Sequence, residues 1–108
     1  MTLRQRITVK SSTPPTIEFD NSVAAWYIRF SKGKVAKTIS GDKPGVTFAI
    51  DLDSNGEVVG VEIIGIKEFT ISMIQRVARV DAPRVDFTRA RFIPTQQSRF
   101  SEKELTEA

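Results

Sequence analysis

The stretch VTFAIDLDSNGEVVGVEII, residues 46–64, alternates apolar and polar side chains on both sides of Asn55-Gly56. Val46, Phe48, Ile50 and Leu52 share one parity before the turn, and Val59, Val61 and Ile63 share one after it. A period of two is the mark of a strand with one buried face, and Asn-Gly between two such runs is the strongest short hairpin signal. A two-residue type I′ turn at Asn55-Gly56 sets Leu52 opposite Val59, Ile50 opposite Val61 and Phe48 opposite Ile63. A three-residue loop slips the ladder and puts Phe48 opposite Glu62, whereas a four-residue loop keeps the apolar faces matched.

The same residues satisfy a calcium-loop pattern, D-x-[DN]-x-[DN]-G-x5-E, through Asp51, Asp53, Asn55, Gly56 and Glu62. A loop of that kind is clamped between helices and gathers roughly six to eight oxygens round one ion. Two strand flanks instead spread Asp51 and Glu62 along a ladder. The turn is therefore the preferred reading, with no metal and no cofactor expected. A calcium-binding loop over residues 51–62 is kept as the last alternative. In the two-residue register Asp51, Asp53 and Glu62 share the polar face, with Asp51 diagonal to Glu62. Such a face is either solvated or an acidic patch for a cation or a basic partner.

Working outward, LRQRITV reads as a strand with Leu3, Gln5, Ile7 and Val9 on one face, ended by SSTPP. TIEF is a short strand followed by a DNS turn. AAWYIRF and KVAKTI read as a hairpin through SKGK. With Lys32-Gly33 as its loop, Phe30 faces Val35 and Trp26 faces Ile39, while Lys37 falls awkwardly opposite Ile28. Beyond residue 66 the period changes to that of a helix: Ile71, Ile74, Val77 and Ala78 share a side, Ser72 and Gln75 suit a capping box, and Pro83 stops it. RVDFTRARFI is a strand or an extended arm, and SEKELTEA offers a short terminal helix.

The chain has 108 residues, enough for a single domain over 1–108, with a core over about 3–80 and an arm over 84–108 that is extended or partly disordered. It contains no cysteine and no histidine. Thiol nucleophiles, disulfides, Ser-His triads and His-ligated zinc are thereby excluded. No apolar run is long enough to cross a bilayer and the N-terminus lacks a signal-peptide core, so a cytoplasmic protein is expected. The net charge of +3 is unevenly spread. Residues 1–16 carry Arg4, Arg6 and Lys10 without an acid, and residues 17–64 hold seven acids against five bases. Residues 76–100 hold six arginines against Asp81 and Asp86.

Phe19-Asp20, Tyr27-Ile28-Arg29, Gly33-Lys34-Val35-Ala36 and Gly56 through Ile63 together resemble a bacterial family of small proteins classed only as a domain of unknown function. Its members show an aromatic-Asp start, a Y-I-R-x-S strand, a G-K-V-A turn and a D-x-D-x-x-G-x-V-V-G-x-E-I hairpin. The likeness covers about residues 19–64. Where the family pattern places an Asp before its Y-I-R strand, Ala24 stands here. The resemblance implies a compact β-rich domain and brings no catalytic residue. Some relatives look like partners of toxin-like proteins, which implies an antitoxin-like role.

The expectation is thus an α+β domain: a small antiparallel meander of about four to six strands with one short helix at about 71–80. The leading function is a non-enzymatic module that binds another protein or a second copy of itself. Trp26 and Tyr27 point to opposite faces of a strand, one filling the core and the other covering a face or meeting a partner. The alternative is a nucleic-acid accessory protein using Arg76, Arg79, Arg84, Arg89, Arg91 and Arg99, with Phe87, Phe92 and Phe100 interleaved. Tyr27 with Arg29, or Asp51 with Glu62, has the chemistry for an active site but no recognised spacing.

Overall fold

A computed structural model describes residues 6–95 of the chain. The hairpin at its centre consists of β5 (Val46–Leu52) and β6 (Val58–Ile64). Phe48 faces Ile63 and Ile50 faces Val61, as the alternation requires, but Leu52 faces Val58. The turn is not type I′, because only Gly56 enters the left-handed region (φ 82°) and Asn55 does not. Asp53 N donates to Glu57 O at 2.9 Å and Gly56 N to Asp53 O at 3.0 Å, closing a loop over residues 54–56. Such a loop alone would slip the ladder by one residue. Val59 is the extra residue that cancels the slip, since the pairing steps from Leu52–Val58 to Asp51–Gly60. The Val59 carbonyl accepts from Phe30 N (2.8 Å) and Ser31 N (3.2 Å), which pins this bulge from the neighbouring segment.

The other strands are β1 (Ile7–Thr8), β2 (Thr16–Asp20), β3 (Ala25–Arg29), β4 (Lys37–Lys43), β7 (Val80–Asp81) and β8 (Arg91–Pro94). Six of the eight strands in the described residues form one sheet in the order β4-β5-β6-β3-β2-β8, antiparallel throughout except for the parallel β2–β8 pair. β1 and β7 make a separate parallel pair. The α+β class holds, but the strands do not follow one another as in a simple meander. β3 and β4 are not a hairpin: Trp26 faces Ile63 and Ile39 faces Ile50, so the expected Trp26–Ile39 and Phe30–Val35 pairs are absent. The reason is burial. β6 is apolar or glycine at nearly every position and belongs between two strands, while β4 is mostly exposed and belongs at an edge.

The even positions of β5 and their counterparts face a core of Ile17, Ile28, Phe30, Phe48, Ile50, Leu52, Val61 and Ile63. A helical segment covers that face through Met73, Ile74, Val77 and Ala78. It starts as α1 (Ile71–Met73) and continues as a wider π turn (Ile74–Ala78), ending at Arg79 in the left-handed conformation (φ 56°). The expected capping box does not form. Thr70 is the N-cap, which places Ser72 inside the first turn, where its Oγ lies 3.3 Å from Thr70 Oγ1. On the β8 side Trp26 stacks between Phe19 and Phe69, with ring centroids 5.6 and 5.5 Å away, and its Nε1 donates to Ile66 O at 2.6 Å.

Residues 85–95 belong to this same body. Val85 is buried, Phe87 meets Phe30 edge-on at 6.2 Å, and β8 extends the sheet. Leu3, Arg4, Arg99, Phe100 and the SEKELTEA segment lie outside the described residues. Among the described residues no helix is long and apolar enough to cross a membrane.

Candidate functional site

Strand alternation sends Trp26 into the core and Tyr27 to the opposite face, where it lies between Glu18 on β2 and Glu62 on β6. Tyr27 is only 2% exposed. Its ring lies across Gly60, whose missing side chain makes the room: a Cβ there would strike the Tyr27 ring and hydroxyl. The hydroxyl thereby reaches over β6 to β5 and donates to Asp51 Oδ2 at 2.8 Å. Thr38 Oγ1 on β4 donates to Asp51 Oδ1 at 2.7 Å. The Arg29 guanidinium sits 5.2 Å from the Tyr27 ring centroid. A polar cluster therefore runs across four adjacent strands, with both Asp51 oxygens engaged by hydroxyls.

This explains three separated features of the sequence as one packing unit. Tyr27, Asp51 and Gly60, well separated in the chain, are the ring, its acceptor and the space it fills. Ala24 has an equally local reading. It closes the one-turn 3-10 helix Asn21–Val23 in the left-handed region, with φ 51°. Asp and Asn tolerate that conformation better than Ala.

The second feature is an edge. Among the described residues β4 pairs only with β5, leaving the outward backbone of seven residues without a strand. Lys37 and Lys43 stand at its two ends and both are exposed. Ile39 between them is half-buried against the core, and Lys43 Nζ donates to Arg76 O at 2.8 Å, tying β4 to the end of the helix. The opposite edge, β8, has four residues and ends in Pro94, which blunts further pairing.

The described arginines are spread over several elements. Arg76 is exposed on the helix beside β4, and Arg91 is exposed on β8. Those strands are the two edges of the sheet, about 24 Å apart at the usual strand spacing. Arg79 is half-buried at the helix end, where its carbonyl accepts from Ile7 N. Arg84 lines a groove of about 340 Å³ with Lys10, Thr8, Val9 and Pro83. Arg89 is exposed in the 3-10 turn Phe87–Arg89. Phe92 is 51% exposed and meets Phe69 at 5.6 Å.

Asp51 and Glu62 do lie diagonally on the polar face, since Asp51 pairs with Gly60 and Ala49 with Glu62. Asp53 has turned inward to the loop, where Oδ1 accepts from Asn55 N (2.8 Å) and Glu57 N (2.9 Å). Among the described residues no cluster of three or more His, Cys, Asp or Glu side chains is placed to hold a metal ion. A β3–β4 hairpin, as proximity in sequence suggests, would cover the β4 edge, but β3 pairs with β6 and β4 with β5. The misfit of Lys37 against Ile28 was the signal that the pairing was wrong.

Residues 16–67 match a family described as a protein of unknown function, DUF2283. The match spans β2 through β6, five of the six strands of the main sheet, and stops before the helix. No curated protein and no solved structure matches the chain.

Proposed function

We propose that the chain is a non-enzymatic module that binds another protein. The observation that carries this reading is the β4 edge: a seven-residue strand paired, among the described residues, on one side only, in a sheet whose other edge is short and closed by proline. Free strand edges bind extended segments through backbone hydrogen bonds. The family resemblance adds an antitoxin-like role, in which the bound protein is the toxin of a two-gene module. A tagged chain drawn through native-host lysate, at low and high salt and with and without nuclease, tests the reading. A protein that stays bound at high salt after nuclease treatment is the expected result. A chain that runs as a stable monomer and retains no protein under any condition overturns it. Nucleic acid retained at low salt alone would transfer the function to Arg76, Arg79, Arg84, Arg89 and Arg91.

A further inference from the structure

Deepening that reading, and resting on it, we infer that the β4 edge takes an extended partner segment of the pattern acid-x-apolar-x-apolar-x-acid. Residues directly opposite in adjacent strands share a face. On β4 the helix-covered face is presented by Lys37, Ile39, Gly41 and Lys43, because they pair with Leu52, Ile50, Phe48 and Val46 of the apolar face. A strand laid beside β4 therefore meets a cation at each end and apolar ground between them. Ile39 is half-buried, and Gly41 is backed by the Phe48 ring, whose Cζ lies 2.8 Å from where a Cβ would sit. An apolar side chain opposite Ile39 or Gly41 extends the core cluster outward. Carboxylates opposite Lys37 and Lys43 meet exposed ammonium groups, and Lys43 has donors left after its bond to Arg76 O. The other face of β4 presents Thr38, Ser40 and Asp42 and asks only for polar residues.

A second copy of the chain fits this edge badly. Full antiparallel overlap of two β4 strands sets Lys37 of each copy opposite Lys43 of the other, and like charges directly opposite are destabilising. Lysines at the ends of an edge strand discourage self-pairing, and the same two lysines select an acidic stranger. The approach from the β3 side adds Lys32 and Lys34, both exposed. The surroundings of the edge thus carry four lysines against Asp42 over residues 32–43.

The test is fluorescence anisotropy with synthetic strand peptides against the whole chain. Peptides with Glu at both end positions should bind, and replacing both Glu by Lys should weaken binding about tenfold, the scale of two rim ion pairs. N-methylation of alternate peptide amides should abolish binding, because strand addition depends on backbone bonds. The variant Lys37→Glu with Lys43→Glu, checked for folding by circular dichroism, should invert the preference and favour the Lys-ended peptide. Equal binding of Glu- and Lys-ended peptides, or unimpaired binding after N-methylation, overturns the inference. So does failure of every peptide to bind. In each of those cases the wider reading is still judged by the lysate experiment, where retention of a protein partner by the Lys37→Glu, Lys43→Glu chain would show a module that uses another surface.

Discussion

Gly60→Ala tests the packing unit at the centre of the sheet. The glycine has no need of unusual backbone angles, so a methyl group is resisted only by what lies above it. The Tyr27 ring and hydroxyl occupy that space, with Cε2 2.7 Å from the Cβ position. Tyr27 cannot swing aside cheaply, because it is buried and bonded to Asp51. Overpacking of this kind costs about 1–3 kcal/mol, and loss of the hydroxyl–carboxylate bond adds about 1 kcal/mol. The smaller unfolded-state entropy of alanine returns about 0.5 kcal/mol. Gly60→Ala should therefore destabilise the chain by about 2 kcal/mol. Tyr27→Val, which empties the space, should cost about 3 kcal/mol by itself. In that background Gly60→Ala should be close to neutral, a coupling of about 2 kcal/mol in the double-mutant cycle. Urea unfolding followed by Trp26 fluorescence and circular dichroism reads all four stabilities, with unchanged m-values confirming that the folded state is the same. If Gly60→Ala costs as much without the tyrosine ring as with it, the reasoning is wrong.

The turn and backbone give further tests by the same assay. Ala24→Gly or Ala24→Asn should stabilise the chain by about 0.5–1 kcal/mol, because Ala24 holds a left-handed conformation. Asn55→Gly should destabilise by about 0.5 kcal/mol, whereas in a type I′ turn it would be neutral or favourable. Asp53→Ala should cost about 1–2 kcal/mol by releasing the Asn55 and Glu57 N–H groups. Calcium at millimolar concentration should give neither heat in calorimetric titration nor a shift in melting temperature, since Asp51 and Asp53 already accept hydrogen bonds from the protein.

The faces of the fold were legible in the sequence where the order of strands was not. Phe48–Ile63 and Ile50–Val61 follow from alternation alone, and so does the division of Trp26 and Tyr27 between two faces. The turn was misread because two departures cancel. A three-residue loop shifts the ladder one way and the bulge at Val59 shifts it back, leaving from Asp51–Gly60 onward the same pairs that a two-residue turn would give. The β3–β4 hairpin failed for a different reason. Neighbours in sequence compete with β6 for the side of β3, and β6 wins because its apolar residues gain more from an interior position. The Tyr27–Gly60–Asp51 unit needed that order to be known, since it joins three strands through a gap that glycine leaves. Ala24 and Arg79 show the same limit, because left-handed backbone at a residue other than glycine leaves no mark in the pattern.

Amide hydrogen exchange along Lys37–Lys43 in the isolated chain tests the free edge most directly. Amides bonded to β5 should be protected and those pointing outward should exchange fast, giving alternation along the strand, and the outward set should slow when an acid-ended strand peptide binds. Uniform protection of all of these amides in the isolated chain would mean that the edge is already covered. That result would contradict the account.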